Sequence, residues 1–201
     1  MSDISSFFSP VDISVLIPEE LNALQLGSIF TIYKEGSDFP DLENADIALI
    51  GIAESRNSLN NEGCMYASNA VRKYLYKLFS GEFNAKVLDL GDIKAGHSTE
   101  DTYYAVRTTV DALIRKNIVP IMIGGSQDLS YPQFLGYKDL EQTINIVSID
   151  SMFDIGNPDE GINSNSYLGK IILHQPNYLF NFSNVGYQTY LVDPHSLKMM
   201  E

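Results

Sequence analysis

Two aspartates at the end of one apolar segment are the strongest candidates for chemistry in this 201-residue sequence. Asp150 follows the run Ile144–Ile149, and Asp154 lies in the turn that comes next. Carboxylate oxygens at this spacing can hold a hard divalent cation, because such ions prefer oxygen ligands. The same two side chains can also cap turns or the following helix. Spacing alone therefore leaves both roles open.

A second polar segment, Gly124–Pro132, follows the apolar run Ile118–Ile123. In parallel α/β sheets, ligand groups collect where strands end at their carboxyl edge, so we expect this segment to lie near Asp150. The glycine pair at its start matches no phosphate-binding loop and is typical of a sharp turn at a strand end. Ser130 is not in a Gly-x-Ser-x-Gly elbow, so no serine nucleophile is indicated.

Three isolated residues are further candidates for reactive groups. His97 precedes a helix cap and is predicted to be a loop residue rather than a base. His174 is expected to end a regular element before Pro176. Cys64 has no Cys-x-x-Cys partner, and we interpret it as a small hydrophobic residue rather than a nucleophile.

The elements that position these residues follow from the apolar pattern. Four short apolar runs rich in β-branched residues recur along the chain, and helical patterns separate most of them, which predicts a parallel sheet covered on both faces. The runs are Ile47–Ile52, Lys86–Leu90, Ile118–Ile123 and Ile144–Ile149. Ser98 and the acidic residues after it predict the start of a helix that ends near Asn117. A second helix is predicted over Ser68–Phe79, with Gly81 as its stop.

The remaining chain gives weaker signals. Residues 1–43 are predicted to be a lead-in packed on one domain that spans residues 44–201, with a short helix over Glu19–Leu26. The polar segment 156–165 is expected to be an exposed loop. A last strand is predicted over Ser183–Val192, and Asp193-Pro194 suits a helix start.

Composition excludes several classes of protein. Twenty-six acidic and thirteen basic residues give a formal net charge of −13. Such a surface repels nucleic-acid phosphates and anionic membranes, so neither is an expected partner. One cysteine excludes an intrachain disulfide framework, and the N-terminus lacks the pattern of a signal peptide. No apolar stretch reaches the roughly 20 residues of a membrane helix, and we predict a cytoplasmic protein.

Several motifs resemble those of the arginase, agmatinase and formiminoglutamase family, the ureohydrolases. The matching elements are Gly51, Gly63, Ala70-Val71-Arg72, Asp89-Leu90-Gly91-Asp92, Pro120–Gly125 and Ile149–Asp154. The resemblance implies an arginase-like fold: a three-layer αβα arrangement with a mainly parallel sheet, expected here to be incomplete at its C-terminal end. Residues 44–201 would be the N-terminal portion of that fold.

The resemblance also implies a site of two manganese ions that activate a water molecule. Asp150 and Asp154 stand at two of the family's four aspartate positions. The two histidine positions are occupied by Gln127 and Met152. The family's later Asp-x-Asp motif has no match after residue 154, since Asp193-Pro194-His195 lies too early and lacks a second aspartate.

Two predictions about function follow. The first is a non-catalytic homologue or fragment that binds no cofactor tightly, because a neutral amide and a soft thioether suit manganese poorly. The alternative is an active, manganese-dependent hydrolase of a C–N bond in formiminoglutamate, agmatine or arginine, which would bind such an amidine or guanidine only if its pocket survives. A third hypothesis is that these residues are one portion of a longer protein that contains the later aspartates. By resemblance alone, a homo-oligomer is expected.

Overall fold

The computed structural model of the protein describes residues 3–16, 20–82, 84–157 and 160–200. Its strands are β1 (Phe8–Ser9), β2 (Thr31–Ile32), β3 (Ile47–Ile52), β4 (Val87–Ile93), β5 (Val119–Ile123), β6 (Ile144–Ile149) and β7 (Leu179–Val185). Its α-helices are α1 (Ile13–Leu16), α2 (Leu26–Ile29), α3 (Ala67–Leu75), α4 (Thr99–Ile114), α5 (Ser130–Lys138), α6 (Tyr167–Leu173) and α7 (Pro194–Met200).

The main sheet has five strands in which β3 lies between β4 and β5, parallel to both. The short strands β1 and β2 both pair with β4, β1 antiparallel and β2 parallel. The N-terminal segment is thus joined to the sheet through backbone hydrogen bonds. The domain boundary at residue 44 stays a prediction.

Alternate residues of β3 face two different helical layers. Ala48, Ile50 and Ile52 are fully buried against α4, which contributes Val106 and Val110 to the same core. The other face of the sheet lies against α2 and α3. This arrangement confirms the α/β class and the covering of the sheet from both faces.

The predicted helix after Ser98 is confirmed in detail. The Ser98 hydroxyl accepts a hydrogen bond from the Asp101 amide, and the Asp101 carboxylate accepts one from the Ser98 amide, which forms a capping box. Helix α4 ends at Ile114, and Asn117 follows in a left-handed conformation with φ of 60°.

The sheet itself departs from the prediction. The fourth apolar run forms β6 as expected, but β6 pairs with β7 in a separate two-stranded parallel sheet and not with the main sheet. Helix α5 links the two sheets, because Gly136 packs against Val110 of α4 while Phe134 lies in the apolar cluster beneath β6. Strand pairing depends on contacts distant in sequence, which periodicity does not report.

Three local predictions were wrong. The helix predicted over Ser68–Phe79 ends at Leu75, well before Gly81, and the next residue, Tyr76, is buried and donates a hydrogen bond from its hydroxyl to Asp89. Residues 20–25 form loop, turn and an isolated β-bridge rather than a helix, while residue 19 lies outside the described ranges. The last strand spans Leu179–Val185 and ends at Gly186, whose φ is 95°.

Two further predictions concern the C-terminal part of the chain. Helix α7 begins at Pro194, and Asp193 caps it by accepting hydrogen bonds from the amides of His195 and Ser196. The described residues of the 156–165 segment form loop and turn, although Ser164 is buried. In the described ranges, no helix has the length and apolar character needed to cross a membrane.

A buried ion-pair network holds β4 against α3. The Arg72 guanidinium is fully buried and donates to both carboxylate oxygens of Asp89, at 2.9 and 2.8 Å, and to Asp92 at 2.6 Å. Burial opposes the charge on Arg72, but the two aspartates outweigh it and raise its pKa. Gly51 lies where an added Cβ would collide with Asp92. Residues of three family-like motifs therefore meet in a structural network.

Candidate functional site

Asp150 lies at the carboxyl end of β6 and is surrounded by hydrogen-bond donors. Its Oδ2 accepts a hydrogen bond from Gln127 Nε2 at 2.7 Å, and its Oδ1 accepts one from the Met152 amide at 3.1 Å. Its backbone amide donates to the Val185 carbonyl at 3.2 Å. These contacts fix the carboxylate in the turn after β6 and use lone pairs on both of its oxygens.

Asp154 has the opposite environment. The side chain is buried, and neither carboxylate oxygen has a hydrogen-bond partner among the described residues. Its φ of 51° is a left-handed conformation that aspartate tolerates better than most residues. Burial, and then the negative charge of Asp150, raise the pKa of Asp154 to about 7. A buried carboxyl of this kind holds a proton readily near neutral pH.

Gln127 reaches Asp150 from the end of the main sheet. Gly124 and Gly125 follow β5 with φ of 81° and 76°, and this sharp turn leads into a short 3-10 helix over Gln127–Leu129. The predicted role of the glycine pair is confirmed. The exposed Gln127 side chain then bridges to the second sheet.

Asp128, next to Gln127, is directed into a different polar cluster. It is fully buried and accepts hydrogen bonds from the Tyr103 hydroxyl and, at 3.4 Å, from Asn57 Nδ2. Burial and this hydrogen bond raise the pKa of Tyr103. Glu54 lies nearby and accepts hydrogen bonds from Arg56 and Thr102. These contacts tie the segment after β3 to α4.

The residues at the site do not fit a pair of manganese ions. In the described parts of the chain, no three or more His, Cys, Asp or Glu side chains converge as a metal-binding group. Gln127 offers a neutral amide whose N–H is directed at Asp150, and Met152 offers only a soft thioether. The carboxylates of Asp150 and Asp154 are the two anionic groups here that suit a hard cation. Two carboxylates supply less negative charge than a pair of divalent ions requires.

The cavities bordering these strands are displaced from the aspartates. One of about 560 Å³ lies between α5 and β6 and is lined by Phe134, Tyr137, Ile146 and Ser148, among others. A second, of about 320 Å³, is an apolar groove on the face of the main sheet opposite α4. Neither is lined by Asp150, Asp154 or Gln127, so these cavities do not present a substrate to the two carboxylates.

Three other candidates lie apart from this site. His97 is an exposed loop residue whose carbonyl accepts a hydrogen bond from Arg56. His174 ends α6, as predicted, and its Nδ1 lies 3.1 Å from the Tyr131 hydroxyl. Cys64 is half-buried in a 3-10 helix. Sequence reasoning missed the hydrogen bond between Gln127 and Asp150, since no pattern relates residues on different sheets.

Comparison with curated proteins finds formimidoylglutamases. The enzyme of Geobacillus sp. (strain WCH70) is 26% identical over 182 residues, which cover 87% of this chain and 51% of the relative. That of Halalkalibacterium halodurans is 28% identical over 124 residues, or 56% of this chain and 39% of the relative. The chain thus spans about half the length, or less, of the curated relatives it matches.

Solved structures show the same fold at low sequence identity. Trypanosoma cruzi formiminoglutamase with Mn²⁺ superposes with a TM-score of 0.73 at 19% identity, covering 88% of this chain and 61% of that one. Formimidoylglutamase from Bacillus subtilis gives a TM-score of 0.74 at 15% identity, covering 90% and 58%. The predicted arginase-like architecture is therefore confirmed.

A family model also matches this chain. A model described as the arginase family matches residues 45–193, which include the Arg72 network, the glycine turn after β5 and both site aspartates. The chain belongs to the arginase family.

Proposed function

We propose that this chain is a non-catalytic member of the arginase family whose dimanganese site is degenerate. One observation carries the proposal: the Gln127 amide donates a 2.7 Å hydrogen bond to Asp150 Oδ2, at a position where the family resemblance implies a histidine ligand. A carboxylate oxygen that accepts this hydrogen bond has one lone pair fewer for a metal. The fold would then serve binding or assembly, with its hydrolytic chemistry lost.

The charge balance of the site supports this proposal. Holding two divalent ions close together requires several anionic ligands, and Asp150 and Asp154 provide two. The raised pKa of Asp154 means that part of this charge is neutralised by a proton near pH 7 when no cation is bound. A bound cation would have to displace that proton and also disturb the contact between Gln127 and Asp150.

Manganese titration by calorimetry tests the proposal. We expect at most weak binding of a single ion, which Asp150→Ala abolishes. Because a chain with net charge −13 attracts cations without specificity, Asp111→Asn on α4 is the matched control and should leave any specific binding unchanged. Tight binding of two ions per chain, lost in Asp150→Ala but kept in Asp111→Asn, would disprove a degenerate site.

The second candidate is an active hydrolase of a linear amidine or guanidine. It is favoured by the names of the curated relatives, which are formimidoylglutamases. With manganese present, release of urea or formamide from arginine, agmatine or formiminoglutamate is the deciding measurement. We expect no turnover above that of Asp150→Ala, and turnover that Asp150→Ala removes would establish the hydrolase instead.

A further inference from the structure

The imidazole ring of His174 lies in the contact between α5 and α6 and has one nitrogen without a partner. His174 follows the last turn of α6, and its ring packs against the rings of Tyr131 and Phe134 on α5, with centroids 6.0 and 5.9 Å away. Its Nδ1 lies 3.1 Å from the Tyr131 hydroxyl oxygen. Its Nε2 is buried and has no hydrogen-bond partner among the described residues. One hydrogen bond and two aromatic contacts therefore hold the ring in place.

This contact suits a neutral imidazole better than an imidazolium. A neutral ring has one N–H group, whereas a protonated ring has two. The described residues provide one hydrogen-bonding group for the ring, the Tyr131 hydroxyl. The carbonyls that end α6 accept hydrogen bonds from other groups, that of Ile171 from the His174 amide at 3.3 Å and that of Ile172 from Asn177 at 2.9 Å. A protonated ring would thus bury a charged donor without an acceptor, which is costly.

The charged groups around the ring also oppose a second proton on it. Lys138 and Asp139 act on the ring from the end of α5, and Arg107 acts on it from α4. Asp139 is the one carboxylate of the three and already pairs with both cations, at 2.6 Å from Arg107 and 3.5 Å from Lys138. Helix α6 itself carries a further cation, Lys170. Burial, and then the charges of Lys138 and Arg107, lower the pKa of His174, although Asp139 acts in the opposite direction.

The two ends of α6 are held in different ways. At its start, the Leu168 amide donates to the Asp154 carbonyl at 3.1 Å, and Gly169 packs so closely on Ile155 that an added Cβ would lie 2.2 Å from the Ile155 carbonyl oxygen. These contacts involve no ionisable side chain. At its end, the ring of His174 provides the contact with α5. A proton on this ring therefore acts on the C-terminal turn of α6 first.

We propose that His174 is an acid-sensitive latch that holds the C-terminal turn of α6 against α5. In the closed state the ring is neutral and packed, and in the open state it is protonated and hydrated, together with the segment 175–178 that leads into β7. Because the pKa of His174 is lowered from 6.5 in the closed state, the open state binds more protons between the lowered value and 6.5. The latch is therefore closed above pH 6.5 and opens as the pH falls below that value. The inference does not depend on whether the chain is catalytic.

Two measurements on the full chain test this latch. Proton NMR follows the titration of the three histidine rings, which His97→Gln and His195→Gln assign. We expect the His174 ring to titrate below the ordinary range of a histidine. Hydrogen exchange, corrected for the intrinsic effect of pH, reports the opening. Protection of the amides of residues 171–173 should fall at least about threefold between about pH 7 and pH 5, while protection of α4 is retained.

Three variants separate the titration of His174 from that of other groups. His174→Gln keeps a polar side chain that takes up no proton, so the loss of protection in acid should disappear. His97→Gln changes an exposed loop residue and is the matched control, which should keep the loss. Lys138→Gln removes a cation near the ring and should raise the pH at which His174 titrates and α6 opens. Asp154 is present in each of these chains, so its own titration contributes equally to all of them.

Three results would overturn the proposal. The first is a His174 ring that titrates within or above the ordinary range of a histidine. The second is a loss of protection in His174→Gln equal to that in the unmodified chain. The third is an unchanged His174 titration in Lys138→Gln, since a purely structural histidine would not respond to that charge. If His174→Gln does not fold, the ring titrations of the unmodified chain and of Lys138→Gln decide.

Discussion

The two sheets of this molecule are built from similar apolar strands but are covered differently. In the main sheet, every residue of β3 from Ala48 to Ile52 is buried, between α4 on one face and α3 on the other. In the second sheet, β6 alternates between half-buried and exposed residues, because α5 and α6 cover one face alone. Strands β3 and β6 have similarly apolar sequences, and they differ in how far their side chains are buried.

This difference bears on the candidate site, which lies between the two regions. Gln127 extends from the end of the well-covered sheet, and Asp150 ends a strand of the poorly covered one. The geometry of the site therefore depends on how firmly the second sheet is held. A site that spans two units imposes a fixed spacing on a ligand only if both units are firmly packed.

The largest expected difference in stability is between two arginine variants, one at a buried ion pair and one at a partly exposed ion pair. Arg72→Ala would leave Asp89 buried without its cation in the main sheet, and we expect a loss of about 3–5 kcal/mol in the free energy of unfolding. Arg107→Ala removes a partly exposed pair with Asp139 and should cost less than about 1 kcal/mol. Urea denaturation measures both.

The contrast fails if the two arginine variants are equally stable. Asp92→Asn provides a milder version that keeps the Arg72 and Asp89 pair intact. It removes one of the two anionic partners of Arg72 and should give an intermediate loss.

Apolar side chains provide the second test. Ile50→Ala opens a cavity in the fully buried core of the main sheet and should cost about 2–5 kcal/mol. Val147→Ala truncates a largely exposed side chain of β6 and should change stability by no more than about 0.5 kcal/mol. Equal losses in thermal or urea unfolding would mean that the second sheet is as well covered in solution as the first.

Elements that depend on local sequence signals could be predicted, and those that depend on contacts distant in sequence could not. The bounds of β3 and β6 follow from short runs rich in β-branched residues, and the start of α4 from its capping box, because these signals are local. The assignment of β5 and β6 to different sheets is not local. Strand β7 was placed too late, since Asn181, Ser183 and Asn184 dilute its apolar pattern and a register shift interrupts its pairing.

The site was predictable to the same extent. Asp150 and Asp154 could be identified from their position after an apolar run. Their different environments could not, because the partners of Asp150 and the burial of Asp154 depend on contacts with Gln127, β7 and α6. Only the folded chain shows that Asp150 accepts hydrogen bonds from Gln127 and Met152, while Asp154 is buried beside the negative charge of Asp150.

The third prediction is a pH dependence of stability that arises from Asp154, in the turn after β6. The folded pKa of Asp154 is about 7 and its ordinary value is 3.8, so between these values the folded state binds more protons than the unfolded state. Stability should therefore fall as pH rises from about 4 to 7, by about 1–3 kcal/mol. Asp154→Asn keeps the left-handed conformation accessible and should remove this part of the slope. Unfolding in urea with EDTA at several pH values measures it, and an unchanged slope in the variant would contradict the assignment.

The smallest expected effect on stability is in α4, which packs on the main sheet. Ser98→Ala removes one half of the capping box of α4, and we expect a loss of about 1 kcal/mol. Thr99→Ala, at the next position, alters a side chain outside the box and is the matched control. Because α4 packs on the main sheet and on α5, hydrogen exchange should speed up in α4 in the Ser98 variant before it does in β6. Faster exchange confined to β6 and β7 would instead mean that α4 supports mainly the second sheet.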